Sequence, residues 1–457
     1  MKIIKAVRSF FFGSLARGFI SSYFLFMMVG AILLSLPLSL QENQTIHFLD
    51  ALFISASGLS TTGLSPMVVK DVFNRFGQTI LILIIQFGGV GLIMGVALFW
   101  LIIRQKITFR QRNMIMTDQN QISREGIVRF VKNIIFMIFL IEFLGFVLMT
   151  IHLTVQGYFP LTEALYQAMF TTISLFTNAG FDIAPNADSF MMYRDDYFML
   201  TLGMFLMFMG AVGFWPLVEL KSWLEAKWHR EKFRFSLFSK VLFKLHFGLW
   251  MISALIVFLI ERDAFLTQVS SFWDGLYVVL FMSLTTRNAG FSTISINELS
   301  EGTNVLFMFL MFLGSSPNSA GGGIRTVTLL VSLLGIRAFM RGRSDVVMKE
   351  RTIKQETVFK AMLVIIVSFL WVGFITQIIV ILEPFTFKEI LFEVMSAFGT
   401  TGLSLGITAQ LSYASKALLV LMMFVGRVGV LSLLLMFKPQ KDYSSNIKFP
   451  EMDVIVG

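Results

Sequence analysis

The sequence predicts an all-α polytopic membrane protein. Its expected architecture is four parallel repeats around one axis, each a span, a short helix, a polar loop and a second span. Three observations predict this. Hydrophobic residues fill 56% of the 457 positions, charged residues only 14%, and the mean hydropathy is +0.77, far from the composition of a soluble domain. Several apolar runs exceed the roughly 20 residues a helix needs to cross hydrocarbon. Finally, a glycine-centred polar phrase recurs four times at nearly constant spacing.

Taken in order, hydropathy marks eight full spans, over 19–40, 77–103, 130–156, 197–219, 241–260, 304–335, 359–382 and 416–437. The first apolar run is long, basic-flanked and without a small-residue cleavage site, so no cleavable signal peptide is expected. The N-terminal segment, the linkers 104–132, 221–246 and 336–360, and the tail hold 28 of the 37 Lys and Arg. By the positive-inside rule these segments and both termini are cytoplasmic. The net charge of +9 is thus chiefly a topology signal, with attraction to anionic headgroups, and not a nucleic-acid signature.

Between the spans of each pair lies a shorter apolar stretch, at 46–59, 160–175, 268–285 and 386–398. At 1.5 Å per residue such helices are too short to cross. Each runs into its phrase: Thr61-Thr62-Gly63, Asn178-Ala179-Gly180, Asn288-Ala289-Gly290 and Thr400-Thr401-Gly402. The glycines are 117, 110 and 112 residues apart. The chain therefore divides into repeats at 1–103, 104–220, 221–335 and 336–438, with a tail at 439–457. Two spans per repeat make every copy enter and leave on one side, so the copies are parallel and can surround an axis along the membrane normal.

Irregular backbone at membrane depth is tolerated where protein buries it or where it lines an aqueous path. Glycine frees the backbone to turn carbonyl oxygens towards a common centre, and a ring of carbonyls can replace a cation's hydration shell. The short helices would aim their negative C-terminal ends at the same place. The competing account is that these glycines only let helices pack closely; four loops in phase favour a pore.

At these residues the chain resembles the Trk/Ktr/HKT superfamily of potassium transporters, over about residues 18–457. Without the two extra N-terminal spans of Trk-type members, it is most similar to the Ktr-type membrane subunit of the bacterial inner membrane. The resemblance implies potassium uptake, often sodium-stimulated, with sodium as an activator. It implies a homodimer with one pore per subunit above a cytosolic ring of nucleotide-binding regulatory subunits, so that ATP or ADP binds the partner and not this chain. Potassium would sit on the backbone carbonyls of Thr62, Gly63, Ala179, Gly180, Ala289, Gly290, Thr401 and Gly402. In plant members serine in place of the first filter glycine goes with sodium transport; Gly63 favours potassium.

The sixth span is interrupted by "GSSPNSAGGGIRT", where Pro317 and four glycines predict an unwound segment. It is either a passive kink or, as the resemblance implies, an intramembrane gate below the filter. Ser315, Ser316, Asn318 and Ser319 would supply its polar groups, and Gly321, Gly322 and Gly323 its flexibility. Arg427 falls near the middle of the last span, ten residues from its cytoplasmic end. A charge at that depth is costly and by default functional. It is either paired with a carbonyl or carboxylate, or it faces the pore as a barrier to cations. Arg287, three residues before Gly290, is expected to point away from the pore and brace the loop from behind.

Little else suggests chemistry. There is no cysteine, which excludes disulfides, thiolate catalysis and zinc–sulfur sites. The four histidines form no metal-ligand spacing, and no nucleophile–base pair or P-loop is present, so enzymatic activity is not expected. Glu142, within the third span, is either a packing carboxylate or a proton relay. The apolar end of the tail at 445–457 is either a frayed end or, as its apolarity suggests, a segment inserted at the dimer or regulator interface. The alternative function is a secondary cation carrier using alternating access.

Overall fold

The computed structural model describes residues 15–91, 94–95, 126–184, 190–269 and 271–436. The expected tail insertion and most of the linker 104–132 lie outside the described residues. The order of a first helix, a short helix, a glycine loop and a second helix recurs four times, and among the described residues the second helix is broken in the last three units. It begins with α1 (Leu15–Ser35), α2 (Phe48–Ser60) and α3 (Arg75–Val90). Next come α4 (Ile127–Val155), α5 (Leu161–Phe176), α6 (Tyr197–Ala211) and α7 (Phe214–Trp228). Then follow α8 (Leu237–Glu261), α9 (Phe272–Thr285), α10 (Glu301–Phe312) and α11 (Thr326–Met340). A hairpin of β1 (Val346–Met348) and β2 (Arg351–Ile353) leads into α12 (Gln355–Leu382). Last are α13 (Phe387–Gly399), α14 (Tyr413–Val428) and α15 (Val430–Met436).

Local chemistry fixes where the helices start. Each second helix opens on a polar cap whose side chain accepts a backbone N–H: Asn74, Asp196, Ser300 and Ser412. Such caps satisfy donors that the first turn leaves without partners. Among the short helices, α13 carries a full capping box between Thr386 and Glu389.

The expected spans are less continuous than hydropathy suggests. Among the described residues only α4, α8 and α12 are single helices long and apolar enough to cross alone. The expected span 197–219 is in fact α6 and α7, bent by 107°. The last span, expected over 416–437, breaks between α14 and α15. Both breaks fall at a glycine with positive φ, Gly213 at +103° and Gly429 at +86°, a conformation that side chains resist. Helix α3 also ends at such a glycine, Gly91. Hydropathy reads apolar content and is blind to this, because glycine interrupts a helix without interrupting its apolarity.

Two apolar cores hold the helices together. One joins α1–α3 to α12–α14 through Phe53, Leu81, Ile375, Phe398 and Met422. The other joins α4–α6 to α8–α10 through Ile138, Phe176, Met207, Phe281 and Phe307. Buried polar struts supplement them. Glu261, at the end of α8, accepts from the Ser300 amide at 3.0 Å, the Ser300 hydroxyl at 2.6 Å and the Thr303 hydroxyl. Lys416 of α14 meets Asp50 of α2 at 2.8 Å, and both are buried.

Removing one partner of a buried pair strands the other charge, at a cost of about 3–5 kcal/mol. Lys416→Met or Asp50→Asn alone should therefore lower the thermal midpoint of the detergent-purified protein markedly. The double variant Asp50→Leu/Lys416→Met should recover most of the loss. Additive losses in the double variant would show that the pair does not act as a unit.

Candidate functional site

The four short helices end in a common manner. The residue two before each glycine is left-handed: Thr61 (φ 56°), Asn178 (φ 53°), Asn288 (φ 80°) and Thr400 (φ 53°). The glycines follow at 94°, 68°, 75° and 95°, and the residue between has ordinary negative φ. Alternating hand along a backbone turns successive peptide groups towards one side. Asparagine tolerates the left-handed region, but a β-branched threonine is an outlier there and persists only where its surroundings hold it. Thr61 Oγ1 donates to Ala320 O at 2.7 Å, and Thr400 Oγ1 accepts from Gly322 N at 2.7 Å.

The loops meet in a closed cycle. A Cβ added to Gly63 would lie 2.7 Å from Ala179 O, and one on Gly180 would lie 3.0 Å from Ala289 O. One on Gly290 would strike Thr401 O, and one on Gly402 would strike Thr62 O. Each glycine thus faces the carbonyl before the next glycine, from the first loop to the fourth and back to the first. Thr62, Ala179, Ala289 and Thr401 are buried.

Directly against this ring runs the segment between α10 and α11, and it is bonded to all four units. Ala320 O accepts from Thr61 and from Arg427 Nη1. Ser316 N and Ala320 N donate to Ala211 O and Gly210 O, both at 3.2 Å, while Asn318 O accepts from Phe214 N at 2.7 Å. Gly322 O accepts from Asn288 Nδ2 at 3.4 Å, and Gly323 N donates to Gly426 O at 3.1 Å. Ser315 and Ser319 bond each other at 2.5 Å, and Ser319 donates to Ser316 O. Gly321 lies against the Asn288 side chain, and its carbonyl accepts from Arg325.

Both expected arginines reach this segment. Arg287 is buried, 1% exposed, and its Nη2 donates to Gly314 O at 3.0 Å, where the segment begins. Its Nε and Nη1 have no hydrogen-bond partner, and no carboxylate pairs with it among the described residues. Arg427 donates to Ala320 O, to Thr61 Oγ1 at 3.2 Å, and through Nη2 to Gly88 O. The helix carrying Arg427 ends one residue later, at Val428, instead of continuing for ten. Glu142 is away from the ring; both its oxygens accept from Gln86 Nε2, at 3.1 and 3.0 Å.

Sequence reasoning missed the glycines that seat the second helices beneath the ring. Gly88, Gly210 and Gly426 each stand three residues before a break glycine, and a Cβ there would strike Leu59 O, Phe176 O and Phe398 O respectively. The signal was available as G-x-x-G at 88–91, 210–213 and 426–429, in register in three second helices.

A cycle of closely approaching glycine loops, enclosed by apolar broken helices, is the architecture of a polytopic membrane protein. The chain matches the TrkH cation transport protein family over residues 20–446, and it belongs to that family. It is 40% identical to Ktr system potassium uptake protein D of Bacillus subtilis over 95% of both chains. It is 33% identical to protein B of the same system and species, over 100% of this chain and 99% of that one. The potassium/sodium uptake protein NtpJ of Enterococcus hirae is 30% identical over 96% of each. The fold resembles the crystal structure of the potassium transporter TrkH from Vibrio parahaemolyticus. The TM-score is 0.67 at 18% identity, over 92% of this chain and 85% of that one.

The glycine seats yield a test. Gly426→Ala should lower the thermal midpoint by the equivalent of about 1–3 kcal/mol, the usual range for overpacking. Gly248→Ala, in α8 with nothing within 4 Å, should leave the midpoint unchanged or raise it slightly. Equal effects would show that the seat at Phe398 is not tight.

Proposed function

We propose that this chain is the potassium-conducting membrane subunit of an uptake system in the bacterial inner membrane, with the ring of glycine loops as its selectivity filter. The observation that carries the reading is the closed cycle in which Gly63, Gly180, Gly290 and Gly402 each face the next loop's carbonyl. Carbonyls in such a ring replace the hydration shell of a dehydrated cation. The short helices add the partial negative charge of their C-terminal ends. The potassium uptake named for the relatives supports potassium as the ion.

The expected segment 314–326, all of which but Thr326 lies between α10 and α11, is the gate in this reading. Its hydrogen bonds to all four units hold it against the ring, and its glycines and Pro317 leave it free of helix. Arg427 adds a cationic barrier and fixes the segment through Ala320 O. The same reading makes the protein a homodimer with both termini cytoplasmic, stimulated by sodium. It is controlled by a cytosolic nucleotide-binding ring that carries the ATP or ADP; the relatives' naming as parts of a Ktr system supports such a partner.

In cells without their own potassium uptake, the chain should restore growth at limiting potassium. Gly63→Ser and Gly402→Ser should abolish the preference for potassium over sodium, since each puts a side chain against a neighbouring carbonyl at positive φ. Unaltered rubidium uptake and preference in both variants would remove the filter reading.

Arg427→Gln should raise the maximal uptake rate severalfold with a smaller change in half-saturating potassium, because it frees Ala320 O of the gate and gives up only the 3.2 Å bond to Thr61 of the ring. An unchanged or reduced maximal rate at equal membrane abundance would show that Arg427 is a structural clamp only.

A further inference from the structure

Six residues before its glycine, three of the four short helices place a buried serine: Ser57, Ser174 and Ser396. The fourth, α9, has Leu284 there. These residues carry no part of the function proposed above, yet their hydrogen bonds divide the ring. Ser57 accepts two consecutive amides, that of Thr62 through its carbonyl at 2.8 Å and that of Gly63 through its hydroxyl at 3.0 Å. Ser396 does the same for Thr401 at 2.9 Å and Gly402 at 3.0 Å.

A peptide group is planar and trans, so its N–H and C=O point in opposite directions. Holding the Gly63 amide outward against Ser57 therefore holds the Thr62 carbonyl inward, where it faces Gly402. Holding the Gly402 amide against Ser396 likewise turns the Thr401 carbonyl towards Gly290. In the second loop the Ala179 amide reaches Ser174 O at 2.8 Å, but the Ser174 hydroxyl is buried without a partner. In the third loop Leu284 offers no hydroxyl, and the Gly290 amide makes only a long 3.4 Å contact with Thr285 O.

We infer that Ser57 and Ser396 are positioning residues for ion selection: their hydroxyls fix the Thr62 and Thr401 carbonyls in the ion-facing orientation, leaving the walls at Ala179 and Ala289 more compliant. The inference rests on the filter reading. It assigns discrimination against sodium, the smaller ion, to the two pinned walls, because carbonyls held from behind by a hydrogen bond follow a smaller ion inward less readily.

The test compares serines of the same register and burial in the full chain, expressed in cells without their own potassium uptake. The readout is the preference for potassium over sodium as competitors of rubidium uptake. Ser57→Ala and Ser396→Ala should each lower that preference about fivefold, the equivalent of one neutral hydrogen bond. Ser57→Thr and Ser396→Thr, which keep the hydroxyl, should restore most of it. Ser174→Ala should leave it unchanged. Equal effects at all three serines, or loss that threonine does not rescue, would reduce them to packing residues. Unchanged preference in Ser57→Ala and Ser396→Ala would also overturn the inference. If Gly63→Ser then still destroys preference, the filter reading survives; if Gly63→Ser is equally silent, that reading fails as well.

Discussion

Backbone that leaves helix inside hydrocarbon has no water to bond to, and each amide or carbonyl left alone there costs several kcal/mol. The centre of this protein concentrates such backbone: four loops of left-handed residues and the long interruption between α10 and α11. The two irregular regions satisfy each other. Ala320 O serves Thr61 and Arg427, the Thr400 hydroxyl serves Gly322 N, and Asn288 bridges Gly322 O to the fourth loop. Each region supplies hydrogen-bond partners to the other, so motion of one alters the bonding of the other directly.

The buried Arg287 and the part-buried Arg427 fit the same constraint. A guanidinium offers five donors in a rigid fork, which lets Arg427 serve two carbonyls at once, those of Ala320 and Gly88. Arg287 meets the segment at Gly314 and Arg427 meets it at Ala320, so its start and its middle are held by charge-assisted bonds. Arg427 also reaches Gly88 O in α3, linking the first and last units through a single side chain.

Much of the helical framework was legible. The apolar stretch 160–175 became Leu161–Phe176, and 359–382 lies within Gln355–Leu382. The repeated phrases announced which residues come together because their spacing is nearly constant. The breaks at Gly213 and Gly429 were not legible from hydropathy, because a glycine at positive φ changes direction while remaining apolar. The partners of Arg287 and Arg427 were also hidden. They are backbone carbonyls, and a carbonyl carries no sequence signature. Ser57 and Ser396 were readable in register but not in role, since Ser174 shares the register and makes no such bond.

The ion pair of Asp50 and Lys416 joins residues 366 positions apart, and this separation bears on how the protein is made. At a synthesis rate of about 5–20 residues per second, roughly 20–70 seconds pass between the emergence of the first short helix and that of its partner. Through that interval the carboxylate of Asp50 and the strained backbone after Ser60 are in the membrane region with their bonding incomplete. Assembly therefore has a vulnerable waiting period set by ribosome speed. A chain stalled before its last unit would lack the lysine that pairs Asp50 and the arginine that serves Gly88 O and Ala320 O.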